Sequence, residues 1–319
     1  MKTVSLFETA LKLRAADLHL QTGRPPLLRR IQGLCPLAGA PPVDEDGLQQ
    51  VLSDIGWPEG QCGDGAFSWQ GRLRCRLHVC REYAGLHAVI RFLYPLETLP
   101  PDDDQAFLER LSTLHSGLVL VCGPTGSGKT TALWRILQLI NERRACHIIT
   151  LEDPIEYVEK GKAALITQRE LGTHFPSFAD GIRQALRQDP DVLLIGEMRD
   201  RPAMDAALTA AETGHFVLST LHTPSAAQAV SRIAGAYDGA AQQEVRCRLA
   251  LVLQAVLAQR RLTRQGQLYF VREILIRTPA VAQLIRSGKE HQLPTVMQTG
   301  AAAGMRTMEQ ALRQMAKGG

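Results

Sequence analysis

Leu118-Val119-Leu120-Val121-Cys122 runs straight into Gly123-Pro124-Thr125-Gly126-Ser127-Gly128-Lys129-Thr130, and the reading of the whole chain turns on this stretch. The first five residues are all apolar, a run short enough for a strand buried on both faces. The next eight match G-x-x-x-x-G-K-[ST] at every fixed position. Thr131–Arg143 then reads as a helix, with Leu133, Ile136, Leu137 and Ile140 on one side. Strand, glycine-rich loop and helix in that order are the context a phosphate-binding loop requires. The residue types follow from the chemistry. Glycines let backbone N–H groups curl around phosphate oxygens with no Cβ in the way. The helix N-terminus adds the positive end of its dipole. Lys129 brings a point charge to the β- and γ-phosphates, and Thr130 a hydroxyl ligand for Mg²⁺. Gly123, Pro124, Thr125, Gly126, Ser127, Gly128, Lys129, Thr130 and Thr131 are the expected nucleotide-binding set, with ATP and Mg²⁺ as cofactors.

Downstream, three more apolar runs end on polar residues. His147–Leu151 is followed by Glu152-Asp153-Pro154-Ile155-Glu156, Val192–Ile195 by Gly196-Glu197, and Phe216–Thr220 by Leu221-His222-Thr223. In a parallel sheet the residues just past the strand C-termini line one crevice. The carboxylates and His222 are therefore expected to converge on Lys129. Hydrolysis needs an aligned water and a metal beside the β,γ-bridge. Glu197, directly after its strand, is the first candidate to position the water. Glu156 is the second, for water or for Mg²⁺. Glu152 and Asp153 are open between a role in the site and capping a turn before Pro154. His222 is a candidate γ-phosphate sensor, and His215 reads as structural.

The N-terminal third has a different texture. Ser5 and Glu8 have capping-box spacing, with Leu6, Ala10 and Leu13 on one face of the helix they would start. Asp17–Leu20 alternates like a short strand. Gly71–Phe92 reads as two strands joined near Tyr83–Gly85, with Leu73, Cys75, Leu77 and Val79 alternating against Arg72, Arg74, Arg76 and His78. That basic face reads as the solvated side of a half-buried sheet. Leu99-Pro100-Pro101-Asp102-Asp103-Asp104 breaks the pattern, because neither a helix nor a central strand continues through two prolines and three like charges. The expected domains are 1–98 and 99–319, the second of α/β type with a mainly parallel sheet.

Composition narrows the class. The 319 residues are 45% hydrophobic and 21% charged, ordinary for globular domains. A net charge of +4, from 36 basic and 32 acidic residues, gives little support to a nucleic-acid partner. Seven cysteines without paired spacing argue against a disulfide framework and for a reducing compartment. Met1–Arg14 carries charges at Lys2, Glu8 and Lys12 and lacks the unbroken apolar core of a signal peptide. The longest apolar run, Leu249–Ala258, is about half a bilayer span and contains Gln254. A cytoplasmic protein is expected, with membrane association only through partners.

Together, Gly123–Thr130, Thr150–Glu156, Gln168-Arg169-Glu170, Arg187–Asp191 through Gly196–Asp200, and Thr213-Gly214-His215 through Thr220–Thr223 resemble the type II/IV secretion ATPase (GspE/PulE) family. Within it the chain is most similar to PilT-type type IV pilus retraction ATPases. Ala16–Leu20 resembles the family's N-terminal strand, and Pro279–Lys289 with Gln298-Thr299-Gly300 and Gly304-Met305 its C-terminal helices. The resemblance implies an N-terminal PAS-like α+β domain, a RecA-like P-loop ATPase domain, nucleotide bound between the two, and a homohexameric ring. It further implies an inner-membrane platform protein as partner, at the inner face of the bacterial inner membrane. It also implies small-domain arginines that reach the γ-phosphate. Arg76, Arg81 and Arg91 match, with Arg81 and Arg91 the preferred pair, and a hinge is expected near Pro100-Pro101.

Two departures stand out. Extension motors of the family carry a zinc site of two Cys-x-x-Cys pairs, and none occurs here, so no zinc is expected. Against retraction, the Ala-Ile-Arg-Asn-Leu-Ile-Arg signature of retraction motors reads Ala280-Val281-Ala282-Gln283-Leu284-Ile285-Arg286, with Ala282 for its first Arg, and the usual His-Glu near it reads Arg272-Glu273. The expected function is an ATP-hydrolysing motor for pilus retraction and twitching motility. The alternatives are an assembly or secretion ATPase and a non-motor nucleotide-binding regulator.

Overall fold

The computed structural model describes residues 3–71, 73–99, 101–264 and 267–317. Met1, Lys2, Arg72 and Pro100, which entered the sequence reading, lie outside the described residues. The chain divides into two compact units. One holds residues 1–100, 154–158 and 265–267, and the other holds 101–153, 159–264 and 268–319.

The first unit contains α1 (Thr3–Lys12), β1 (Asp17–Gln21), β2 (Leu27–Arg30), β3 (Gly33–Pro36), α2 (Glu45–Asp54), β4 (Gly63–Trp69), β5 (Leu73–Glu82) and β6 (Gly85–Leu93). Its six strands form an antiparallel sheet in the order β3-β2-β1-β6-β5-β4. The alternation in β5 does what period-2 patterning requires: Leu73, Cys75, Leu77 and Val79 are buried while Arg74, Arg76 and His78 are not. Helix α1 lays Leu6, Phe7 and Ala10 on this core, and the Phe7 ring packs 4.4 Å from Trp69 and edge-on to Phe92 at 5.7 Å. Ser5 is not a cap, because α1 already includes it; its carbonyl instead accepts from the Thr9 hydroxyl at 2.7 Å.

The second unit runs α3 (Gln105–Ser112), β7 (Gly117–Cys122), α4 (Lys129–Arg143), β8 (His147–Glu152), β9 (Leu165–Glu170), α5 (Phe178–Ala185), β10 (Val192–Ile195), α6 (Arg201–Glu212) and β11 (Phe216–Leu221). It continues with α7 (Ala226–Ala234), α8 (Gly239–Val252), β12 (Leu253–Arg264), β13 (Gln267–Ile276), α9 (Pro279–Arg286), α10 (Leu293–Thr299) and α11 (Met308–Lys317). Seven strands form one sheet in the order β13-β12-β7-β11-β10-β8-β9. Every pairing from β12 across to β9 is parallel. This is a RecA-like α/β domain. β7, β10 and β11 are buried at every position because helices cover both sheet faces. Leu118, Leu120, Ile149, Leu193 and Val217 share one core with Ile182, Met204, Ala207, Val230 and Leu249 from the helices. Among the described residues no helix is long and apolar enough to cross a membrane.

Glu273 on β13 joins distant parts of this domain. Its carboxylate accepts from the Ala226 N–H at 2.7 Å and the Met308 N–H at 3.3 Å, at the starts of α7 and α11. Both groups are helix-terminal donors without intrahelical partners. Glu273→Ala should therefore lower unfolding free energy by about 1–3 kcal/mol. A urea midpoint identical to the wild type would contradict this role.

Candidate active site

The loop after β7 is shaped by its glycines. Gly123, Gly126 and Gly128 have φ of 145°, 76° and 84°, values side chains disfavour. Space enforces the same choice. A Cβ on Gly123 would lie 2.2 Å from the Gln259 carbonyl oxygen, and one on Gly128 would lie 2.8 Å from both the Gln259 amide nitrogen and the Phe270 ring. Helix α4 begins at Lys129, two residues before the start expected from the sequence, so its free N–H groups face the loop. The Lys129 ammonium is buried and donates to the carbonyls of Gly123 at 2.9 Å and Pro124 at 3.2 Å. The Ser127 hydroxyl is buried with no hydrogen-bond partner. A cradle that excludes Cβ atoms, an orphaned buried hydroxyl and a helix N-terminus fit a nucleotide's phosphates.

Sheet register brings the acidic wall to this loop. Leu221 on β11 pairs with Cys122 on β7, so His222 follows level with Gly123. Ile195 on β10 pairs with Ser219, and the Thr220 hydroxyl donates to the Gly196 carbonyl at 2.6 Å, which puts Glu197 beside the end of β11. The Glu197 carboxylate lies 3.6 Å from His222 Nε2, and Arg199 pairs with its other oxygen. Arg199 also reaches Asp153 at 3.5 Å. Burial, then the positive charges of Lys129 and Arg199, lower the His222 pKa against the opposing pull of Glu197. His222 is thus a neutral imidazole at pH 7, able to donate or accept a hydrogen bond. Burial pushes the adjacent Cys122 thiol up to about 12, which leaves it inert beside the loop.

The remaining residues sort out differently. Glu152 is the last residue of β8, buried, accepting from Thr150 at 2.7 Å, Gln168 at 3.2 Å and the Trp134 indole at 3.4 Å. It ties α4 to β8 and β9. Asp153, more exposed, joins the Arg199 pair. Glu156 lies in the 154–158 segment, which belongs to the first unit, where Arg74 donates to the Ile155 carbonyl at 3.2 Å. His215 bonds the Ala210 carbonyl at 2.9 Å, beyond the end of α6. Thr130 and Thr131 stand half-buried in the first turn of α4.

The structure does not bring the two preferred arginines together. Arg81 shares the parity of Leu77 and Val79 and pairs with Glu45 at 3.0 Å. Arg91 stands on the other sheet face, directly across from Arg76, and pairs with Asp17 at 2.7 Å. Arg76 and Arg91 are the cross-strand neighbours. Gln259, Arg261 and Arg199 border the site and were missed from sequence. Arg199 follows Glu197 by two residues, a signal that was available; Gln259 and Arg261 come from β12 with no motif to mark them.

Residues 86–291 match the family model described as "Type II/IV secretion system protein". The type IV pilus retraction ATPase PilT of Pseudomonas aeruginosa is 37% identical over 98% of this chain and 93% of its own. The Escherichia coli protein YggR is 41% identical over 98% of this chain and 97% of its own. The crystal structure of the pilus retraction motor PilT with bound ADP superimposes with a TM-score of 0.85 at 36% identity, covering 100% of this chain and 94% of that one.

Gly128→Ala should weaken ADP binding by tenfold or more, since it adds about 1–2 kcal/mol of left-handed strain to the collision with Gln259 and Phe270; isothermal titration against wild type measures it. The His222 shift makes a second prediction. A folded-state pKa below the unfolded value means that acid protonates the unfolded chain first. Stability should therefore fall as pH drops below about 6.5, and His222→Asn should flatten that part of the stability–pH curve.

Proposed function

This chain belongs to the type II/IV secretion system protein family, and from that premise we propose that it is an ATPase motor powering type IV pilus retraction and twitching motility. The observation that carries the proposal is the meeting of Lys129, Glu197 and His222 at the mouth of a glycine-built phosphate cradle.

Each residue has a part in the reaction. The backbone N–H groups of Gly126, Ser127, Gly128, Lys129 and Thr130 hold phosphate oxygens, and Lys129 exchanges its two loop carbonyls for the β- and γ-oxygens. Glu197 orients the attacking water and draws its proton, while Arg199 holds the carboxylate in place. His222, neutral, hydrogen-bonds the γ-phosphate. Thr130 and Glu156, a hydroxyl and a carboxylate, are the hard oxygen donors that suit Mg²⁺, with Glu156 acting directly or through water. When bound, Mg²⁺ would supply charge neutralisation for the phosphates. Arg91, with Arg76 beside it or with Arg81, is the small-domain contribution to the γ-phosphate, released from its carboxylate partner as the site closes.

A γ-phosphate that contacts one conformation of the chain better than another favours that conformation, and its loss relaxes the chain. In a homohexameric ring docked on an inner-membrane platform protein at the cytoplasmic face, that cycle becomes mechanical work. One departure favours a second reading. Ala282, where the retraction signature has arginine, is buried in α9 at 2% exposure. An assembly or secretion motor of the same family is the alternative.

Glu197→Gln should abolish sustained phosphate release in the presence of Mg²⁺ while keeping nucleotide affinity within a few-fold. Full turnover in that variant would remove Glu197 from the water-positioning role, and a wild type that binds but never turns over would make the protein a regulator. In the source organism, deletion should leave excess pili without twitching. Cells without pili would instead assign the protein to assembly.

A further inference from the structure

Behind the phosphate loop is a buried polar chain that the reaction above does not use. Arg272 on β13 is 2% exposed and Gln259 on β12 is 1% exposed. The Arg272 Nε donates to Gln259 Oε1 at 2.7 Å, and the Gln259 Nε2 donates to the Ser127 carbonyl inside the loop. At its other end the guanidinium grips Asp102, with Nη1 on one carboxylate oxygen and Nη2 on the other at 2.7 Å, and it reaches Asp104 at 3.2 Å. Arg135 on α4 meets Asp102 at 3.0 Å. Arg306 binds Asp104 and donates to the Arg272 carbonyl at 2.8 Å. Asp102 is the second residue of the second unit, which begins at Pro101.

The chemistry makes this chain directional. A guanidinium has donors and no acceptor, so Gln259 must turn its oxygen toward Arg272. Its N–H then points the other way, at the Ser127 carbonyl. In a trans peptide the carbonyl and the next N–H lie on opposite sides. Holding the Ser127 oxygen against Gln259 therefore aims the Gly128 N–H away from Gln259, and that N–H belongs to the phosphate cradle. Burial opposes the charge on Arg272, but the hydrogen bond to Asp102 and the charges of Asp102 and Asp104 outweigh it, so the group is firmly cationic. Glutamine alone has no such constraint, since its amide fits either way round.

We propose that Arg272 is a positioning residue for nucleotide binding: through Gln259 it fixes the Ser127–Gly128 peptide, and through Asp102 it couples that peptide to the first turn after the interdomain connection. The inference rests on the phosphate loop binding nucleotide. It concerns a residue at which this chain departs from the His-Glu pair of the family it resembles.

The test is a double-mutant cycle on the full-length protein with mant-ADP as probe. Lysine at 272 keeps the charge but cannot serve Gln259 and two carboxylates at once. Methionine at 259 removes the relay without touching the charge cluster, so it keeps the test valid if the lysine variant misfolds. Arg272→Lys and Gln259→Met should each weaken ADP binding about tenfold, and the double variant should be no weaker than either. In wild type, ADP should slow hydrogen exchange over residues 101–108, and in Gln259→Met it should not. Folded variants with affinities within twofold of wild type, additive losses, or exchange that responds to ADP alike in both proteins or in neither would overturn the proposal. Loss of binding in wild type itself would instead overturn the nucleotide reading, and Lys129→Ala marks that floor.

Discussion

The parallel ladder from β12 through β7, β11, β10 and β8 limits where chemistry can happen in this protein. Its strands are covered on both faces, so a charged side chain within them would need a partner for every polar atom. Charge is therefore confined to the ends. One-step register then decides which ends meet: Cys122 beside Leu221, and Ser219 beside Ile195. Lys129, His222 and Glu197 come together because three buried strands stop at nearly the same level, not because they are close in sequence.

The small domain solves the opposite problem. Its antiparallel sheet has one apolar face and one face bearing Arg74, Arg76, His87 and Arg91. Cationic side chains beside each other across strands repel unless carboxylates intervene. Asp17, 3% exposed, does this from β1, accepting from Arg91 at 2.7 Å and standing 3.8 Å from Arg29. Arg81 needs a different partner, Glu45, because strand parity turns it to the other side. An arginine already held by a carboxylate is ordered at little further entropic cost when it changes to a phosphate.

Arg272 belongs to the second unit. A buried guanidinium has to be neutralised, and Asp102 and Asp104, which in the linear chain read only as a helix-breaking charge run, do so. The same residues thus mark the domain break in the sequence and anchor the second domain in space. Placing Arg272 on β13, beside β12, lets it order a glutamine that in turn orders the phosphate loop.

The sequence alone determined the phosphate loop, the α/β alternation and the candidacies of Glu197 and His222. These depend on local rules: glycines where φ is positive, apolar runs long enough for a buried strand, polar residues just past a strand's end. The tertiary structure decided what those rules do not reach. It made Glu152 an anchor for Trp134, set Arg81 and Arg91 on opposite faces, and joined Ser127 to Gln259 and Arg272 to Asp102 across 132 and 170 positions. Such partnerships are set by strand order and register, and a pattern of residue types along one strand carries no information about which strand will lie beside it.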